Sequence, residues 1–343
     1  MRRMATISLA IVTYFVLALL LKNSVANASS FSIYNVGSIE KQISPEITGE
    51  ERVVIARIME TLEPEDRENV IYIAADGKVY ANKPELKNNI IKWDKVKGNI
   101  YRDLKGNMRA FPEEETFASE GTRASVAGIL ATGGPYRRIK SITGYSWFSS
   151  YVHLAGGEEI EIKQSVGDTA YVYTGGTGST GVEVDAGLQY SQTYDNWAFY
   201  MKVGSGKPYT TTPRFKANQD AFIKFYVPSD EKVTLSVTAY DTSNTKRTIS
   251  YTMDATGFNQ NGSDCRIKRC TTIAQTNQNF SSGSWYENAH WYSCKIGTGS
   301  TSNHTWAKTD IYQTTSYPDS THVVVNYVSA AEETDNIYLN LEK

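Results

Sequence analysis

Hydrophobic and polar residues alternate along much of the chain after residue 136. Between Val233 and Tyr240, every second position is Val, Leu, Val or Ala, and the positions between them are Thr, Ser, Thr and Tyr. Ile249, Tyr251 and Met253 alternate with Thr and Ser in the same way. A period of two is typical of a β-strand with one buried side and one solvent-facing side. Both segments are therefore predicted to be strands with one apolar face.

Shorter segments of the same kind recur across this part of the chain, at residues 159–163, 171–174, 222–227, 322–328 and 337–341. Clusters of Gly, Asn, Asp and Ser separate them, and these residues favour turns. No helical pattern alternates with the strands, which argues against a parallel α/β sheet. Residues 136–343 are therefore predicted to form a β-sandwich or jelly roll.

The preceding region, residues 29–123, has a different pattern. Thr48 to Glu51 form a capping-box signature, and apolar residues at helical spacing follow it until Pro64. A hydrophobic run, an Asp76-Gly77 pair and a second short run predict a hairpin. We expect a small, charged α+β module, either permanent or removed as a pro-region, joined to the sandwich by a linker at residues 124–135.

The N-terminus has the features of an export signal. Arg2 and Arg3 precede an apolar run from Ala5 to Leu21, and Ala26-Asn27-Ala28 supplies small residues at a cleavage site. A signal peptide over residues 1–28 and a secreted, extracellular mature chain are predicted. The alternative is an uncleaved anchor, because the run is close to the shortest length that spans a bilayer.

Composition supports a folded extracellular protein. The 343 residues are 40% hydrophobic, enough for a sizeable core. The 35 basic and 37 acidic residues nearly cancel, so no basic surface is predicted for nucleic acid or an anionic membrane. Eighteen of the 23 tyrosines and five of the six tryptophans follow residue 135, and this aromatic content, dense around Phe280 to Tyr292, suits a recognition surface.

Three cysteines occur, Cys265, Cys270 and Cys294. In an exported protein one disulfide is expected, and the sequence leaves the three possible pairings open. A zinc site that includes His290 is the alternative. Motifs for a serine hydrolase, a zinc protease or a dinucleotide cofactor are absent from the sequence, and we expect neither a metal nor a cofactor.

The strand from Val182 to Ser191 carries the most informative polar face. Glu183, Asp185 and Gln189 alternate with apolar residues, and an aromatic strand begins at Trp197. Carboxylates and amides beside aromatic rings are typical of sugar sites. The sequence predicts a ligand-binding surface made of Glu183, Asp185, Gln189, Tyr190, Trp197 and Tyr200.

Glu183-Val184-Asp185 resembles the nucleophile strand of jelly-roll glycoside hydrolases of the laminarinase and lichenase kind. In those enzymes a second Glu follows, but Gly187 and Leu188 occupy its places here. Retaining hydrolysis needs two carboxyl groups, so half of the machinery is missing. A solvated strand face, a binding face and an active site all remain open, with no catalytic residue assigned.

The run from Tyr145-Ser146-Trp147 through Gly181 to Ser191 and on to Trp197 resembles the secreted YrpD-like proteins of Gram-positive bacteria. This resemblance implies secretion and an aromatic β-domain but no reaction. We therefore expect a secreted protein that binds an extracellular polymer, with cell-wall or other polysaccharide as the favoured class. The alternatives are a glycan-cleaving enzyme and a structural or protein-binding surface component.

Overall fold

The computed structural model describes residues 36–112, 133–276 and 280–339. The predicted signal peptide and all but the end of the predicted linker lie outside the described residues. The described residues belong to two compact units, which are divided between Lys41 and Gln42. The first contains helix α1 (Val36–Glu40), and everything described below belongs to the second.

Most strands of the described chain belong to two large sheets. The first, called sheet A, has the spatial order β2 (Val79–Ala81), β1 (Asn69–Ile73), β16 (Lys246–Asp254), β15 (Lys232–Tyr240), β14 (Gln219–Tyr226), β8 (Trp147–Leu154), β18 (Trp285–Gly299), β22 (Glu332–Tyr338) and β21 (Val323–Ser329). Two shorter strands, β9 (Ile160–Glu161) and β19 (Ser302–Thr305), also pair with β18.

The second sheet, called sheet B, has the order β20 (Ile311–Tyr317), β7 (Tyr136–Ser141), β17 (Arg266–Ala274), β10 (Thr169–Thr177), β11 (Glu183–Ser191), β12 (Asn196–Val203), β13 (Tyr209–Lys216) and β3 (Ile90–Lys92). A small third sheet contains β4 (Asp94–Lys97), β5 (Ile100–Arg102) and β6 (Met108–Ala110). Short 3₁₀ turns occur at Pro64–Asp66, Gly157–Glu159, Gln164–Val166 and Lys308–Asp310.

The hydrophobic core lies between the two sheets. Val233, Leu235 and Val237 of β15 are fully buried, as their alternation predicts. From sheet B, Phe199 stacks on Tyr251 of sheet A with ring centroids 5.2 Å apart. The apolar faces of both sheets join one continuous cluster of buried side chains. The predicted mainly β, sandwich-like fold is confirmed.

The N-terminal region contains the predicted helix and hairpin. Helix α2 (Gly49–Thr61) follows Thr48, although the Thr48 side chain makes no capping hydrogen bond. Hairpin β1–β2 turns at Gly77, whose φ of 80° suits glycine. A further short helix, α3 (Pro84–Asn88), follows the hairpin. No helix within the described ranges is long and apolar enough to span a bilayer.

This region adds a strand to each large sheet. Strand β1 pairs in parallel with β16, whereas β3 pairs in antiparallel fashion with β13. Residues 42–112 of the predicted N-terminal module thus lie in the same compact unit as the described part of the predicted sandwich. The predicted module boundary at residue 123 lies outside the described residues.

The 3₁₀ turn Pro64–Asp66 covers part of the outer face of sheet A. The buried Asp66 carboxylate accepts hydrogen bonds from Tyr226 at 2.9 Å and Ser236 at 2.7 Å, and it lies 2.7 Å from the Lys224 ammonium. Lys224 is also paired with Glu63. These contacts cover the outer face of sheet A at Lys224, Tyr226 and Ser236. The outer face is more open at Tyr151 on β8.

Candidate functional site

Two residues of the predicted binding surface lie in the core. Trp197 is fully buried, its ring packs on Tyr190 with centroids 5.2 Å apart, and its Nε1 donates to the Ala155 carbonyl at 2.9 Å. The alternation of side chains along a strand explains why both residues are buried. Tyr190 points to the same side of β11 as Leu188, and Trp197 is its direct partner on β12. Tyr190 and Trp197 therefore do not share a face with Glu183, Asp185 and Gln189.

The remaining predicted residues lie on the outer face of sheet B, under another part of the chain. Gln189 Nε2 donates to the Tyr171 hydroxyl at 2.7 Å, and Tyr171 donates to the Ala110 carbonyl at 2.6 Å. Phe111 packs against Tyr200 with ring centroids 5.5 Å apart. Trp93, Tyr101 and Phe111 bury this aromatic face. Gln189 and Tyr200 are consequently buried side chains.

Lysines neutralise the two carboxylates of β11. Lys268 Nζ lies 2.7 Å from Asp185 and 3.0 Å from Glu183, and Lys140 Nζ lies 3.3 Å from Glu183. Lys268 and Asp185 are nearly inaccessible to solvent. Both carboxylates are therefore held in ion pairs with lysines of β17 and β7 in the same sheet. The geometry gives Glu183 and Asp185 a structural role in the sheet.

The three cysteines are buried thiols. Cys265 and Cys294 belong to the main core, whereas Cys270 lies with Tyr171 and Tyr173 on the outer face of sheet B. The structure thus shows none of the three possible disulfides. Burial raises the pKa of the Cys265 and Cys294 thiols, which makes both poor nucleophiles. Within the described residues, His, Cys, Asp and Glu side chains form no group able to hold a metal.

An exposed row of aromatic rings crosses the open part of sheet A. Phe222 on β14, Tyr151 on β8 and Tyr292 on β18 occupy directly opposed positions of neighbouring strands. Their ring centroids are 5.0 Å apart between Phe222 and Tyr151, and 5.2 Å apart between Tyr151 and Tyr292. His290 stacks on Tyr292 with a centroid distance of 4.9 Å. These four side chains are called the ring row.

Strand alternation explains why the ring row faces outward. On β8, Phe148, Val152 and Leu154 point into the core, so Tyr151 and His153 point away from it. On β18, Trp291 is fully buried and Tyr292 is not. Opposed aromatic residues on adjacent strands stabilise the sheet by about 0.2–1 kcal/mol per pair. Tyr151 nevertheless remains 40% exposed.

A polar edge runs along one side of the ring row. His153 lies between two carboxylates, with its Nδ1 3.1 Å from Asp220 and its Nε2 2.9 Å from Glu159. The Tyr292 hydroxyl donates to the other Asp220 oxygen at 2.9 Å. Burial and this hydrogen bond raise the pKa of Tyr292 to about 12. Asn288 of β18 donates to Glu159 at 3.0 Å, which adds an amide to this edge.

An irregularity in β18 positions Asn288. The register of β18 against β22 shifts between Tyr286 and Ala289, and Asn288 adopts a φ of 58°. Asparagine tolerates this left-handed conformation better than most residues. The extra residue lets Tyr286 and Ala289 both enter the core while Asn288 reaches Glu159. Fixed carboxylate, imidazole and amide groups therefore border the flat apolar rings of the ring row.

Sequence reasoning did not find the ring row. The alternation of Phe148, Val152 and Leu154 would have placed Tyr151 on the outer side of a strand. The sequence showed the aromatic residues around Tyr292, but it did not show that Tyr151 and Phe222 lie beside Tyr292 in the sheet. Strands β14, β8 and β18 are far apart in sequence, and nothing local indicates that they are adjacent in the sheet.

Comparison with solved structures gives only distant likenesses. Scytalido-glutamic peptidase with a peptide-based transition state analogue aligns with a TM-score of 0.38 at 11% identity, over 60% of this chain and 98% of that one. SCP-B, an Eqolisin-family peptidase in complex with the tripeptide Ala-Ile-His, gives 0.40 at 8%, over the same shares. A protein of unknown function from Shewanella oneidensis MR-1 gives 0.21 at 13%, over 68% and 97%. Likeness at these scores carries no information about activity.

The sequence itself gives one match to a family. No curated protein matches the chain. The YrpD family model, described as a domain of unknown function, matches residues 141–285, which run from the end of β7 to the start of β18. The segment includes Tyr151, His153, Asp220 and Phe222 of the site. This match supports the resemblance to the YrpD-like family seen in the sequence.

Proposed function

We propose that this protein binds an extracellular polysaccharide through the ring row. The observation that carries the proposal is the alignment of Phe222, Tyr151 and Tyr292 side by side across three strands, with a hydrogen-bonding edge beside them. The apolar C–H face of a sugar ring stacks on an aromatic ring, and carboxylates and amides bond its hydroxyls. The predicted export signal supports a ligand outside the cell.

The ring row is rigid before a ligand arrives. Its members stand on the central strands of sheet A, and the Tyr292 hydroxyl is fixed by Asp220. Aromatic side chains have few rotatable bonds, so ordering them on binding costs little conformational entropy. A preorganised platform therefore retains more of its contact energy as affinity.

The charges around the ring row favour a neutral or amino-bearing polymer. Asp220, Glu159 and Glu332 all lie beside it, and the Asp220 and Glu332 side chains are 47% and 44% exposed. Carboxylates at the border of a site repel anionic ligands and attract cationic ones. Uronic acid polymers and phosphate-containing polymers are consequently disfavoured ligands.

Titration calorimetry of two tyrosine variants tests the proposal. Cellohexaose and hexa-N-acetylchitohexaose are neutral probes of suitable length. Tyr151→Ala and Tyr292→Ala should each weaken binding by about tenfold, since loss of a ring contact costs roughly 1 kcal/mol or more. Tyr240→Ala is the matched control, because Tyr240 is a 49% exposed tyrosine of the same sheet outside the ring row.

Wild type and Tyr240→Ala should bind with equal affinity, and both ring-row variants should bind more weakly. Equal affinity in all four proteins would reject the ring row as the binding site. These proteins and a Glu183→Gln variant are also assayed for released reducing ends. If wild type releases reducing ends and Glu183→Gln does not, a glycan-cleaving enzyme is favoured instead.

A further inference from the structure

An open groove of about 750 Å³ lies next to the ring row. It is bounded by the 3₁₀ turn Gly157–Glu159, by β9 and the turn that follows it, and by the connection between β11 and β12. The side chains that matter for the argument are Glu158, Glu161, Gln164, Gln192, Thr193 and Trp285.

The groove and the ring row share a border. Glu159 bonds His153 at the ring-row edge, while its neighbours Glu158 and Ile160 line the groove. Trp285, which also lines the groove, lies on β18 together with His290 and Tyr292. Five to seven residues of strand correspond to roughly 16–24 Å. The two features are therefore separated by a distance that several linked sugar units cover.

Gln164 gives the groove a donor that the protein itself does not use. Thr193 Oγ1 donates to Gln164 Oε1 at 3.1 Å, which fixes the orientation of the amide. Gln164 Nε2 is buried and has no hydrogen-bond partner within the described protein. A buried donor without a partner is costly, so an arriving acceptor gains more there than at an exposed donor.

Trp285 also lines the groove and is largely buried, with its indole in a fixed orientation. The Trp285 indole Nε1 donates to Glu161 Oε2 at 3.3 Å, and Trp285 pairs with Glu161 across β9 and β18. Gln192 is held by accepting a hydrogen bond from the Ile162 amide at 2.7 Å. An indole, two carboxamides and a hydroxyl are thus presented together on fixed strands and turns.

We infer that the groove is a second subsite of the same carbohydrate site. This inference rests on the proposed function and specifies its ligand, a neutral oligosaccharide long enough to span both features. The chain stacks on the ring row through its apolar faces and places hydroxyl oxygens opposite Gln164 in the groove. A disaccharide occupies the ring row alone.

Chain-length dependence of binding distinguishes the two subsites. Gln164→Leu removes the donor while nearly preserving side-chain volume, and Gln313→Leu on β20 of sheet B is the matched control. For cellohexaose or hexa-N-acetylchitohexaose, Gln164→Leu should raise the Kd about fivefold, which corresponds to one hydrogen bond. For the disaccharides cellobiose or N,N′-diacetylchitobiose it should leave the Kd unchanged. Tyr292→Ala should weaken binding of both lengths.

Each other outcome has a defined meaning. If Gln164→Leu leaves hexasaccharide binding unchanged, or weakens both lengths equally, the groove is not a second subsite, although the ring row still stands. If Tyr292→Ala changes nothing, or if neither length binds, the proposed function and this inference both fall. Thermal unfolding midpoints of the variants, compared with wild type, identify any variant whose loss reflects misfolding.

A second readout does not depend on Gln164. Binding of a hexasaccharide in the groove should alter the fluorescence of Trp285, whereas a disaccharide on the ring row should not. The change should vanish in Trp285→Phe. An identical change with both ligand lengths, or one that survives in Trp285→Phe, would overturn the inference.

Discussion

At the scale of single residues, the side of the strand on which an aromatic side chain lies decides whether it is a core residue or a surface residue. Trp197 and Tyr151 are both aromatic residues on long strands of the sandwich. Trp197 points between the sheets and is fully buried, whereas Tyr151 points away from them and is 40% exposed. The sequence showed that aromatic residues are abundant after residue 135, but abundance does not distinguish the two roles. The alternation around each residue does.

Trp197→Ala tests the structural role of that residue. The substitution removes a buried indole and its hydrogen bond to Ala155, so the free energy of unfolding should fall by about 3–5 kcal/mol. Tyr151→Ala should cost far less, because its ring is partly exposed already. Urea denaturation of both variants gives the comparison. A small loss for Trp197→Ala with abolished saccharide binding would restore Trp197 to the ligand site.

Asp335 gives the second prediction at this scale. Burial, followed by repulsion from Glu333, raises the pKa of Asp335 to about 7. The folded protein then retains a proton that the unfolded chain releases above its ordinary carboxyl pKa of about 4. This stabilising contribution is present in full below a pH of about 4 and is lost as the pH rises to about 7.

Asp335→Asn removes this titration but retains an acceptor for the Thr271 hydroxyl, which lies 2.7 Å from the carboxylate. Wild type should lose stability relative to Asp335→Asn as the pH rises from about 4 to about 7. Asp264→Asn, at an exposed carboxylate, is the control. Parallel pH profiles for wild type and Asp335→Asn in denaturant unfolding would contradict the prediction.

At the scale of elements, the strands were predictable and their partners were not. Alternation in β15 and β16 is a local property, and the structure confirms both strands. The pairing of β1 with β16 joins Asn69 to Ile249, and the pairing of β3 with β13 joins Ile90 to Thr211. No short-range pattern encodes such contacts. The polar side of β11 was likewise predicted, but not the segment from Trp93 to Phe111 that covers it.

Substitution of Phe111 tests how the segment from Trp93 to Phe111 is held against sheet B. Its ring contacts Trp93 and Tyr101 with centroid distances of 5.3 and 5.1 Å, and it also packs on Tyr200. Phe111→Ala should destabilise this contact by about 3–5 kcal/mol. Hydrogen exchange should therefore accelerate in β5 and β6, while the amides of β8 and β18 keep their protection. Equal acceleration in both regions would show that the cover is not a separate element.

At the scale of the whole molecule, the two sheets differ in which outer surface remains available. The small third sheet and its aromatic residues cover the outer face of sheet B. On sheet A, the turn containing Asp66 closes one part and leaves the ring row open beside it. Within the described residues, the position of residues 63–111 thus determines which aromatic surface remains exposed. This could not be derived from the sequence, because both faces carry suitable residues.

The most direct test of this account is hydroxyl-radical footprinting with and without a saturating hexasaccharide identified by calorimetry. Radical oxidation reports the solvent exposure of individual side chains. The account predicts that oxidation of Tyr151, Tyr292 and Phe222 falls on binding, while the exposed Tyr240 and Tyr312 react as before. Unchanged oxidation in the ring row, together with protection of Tyr171 or Tyr200 on sheet B, would contradict it.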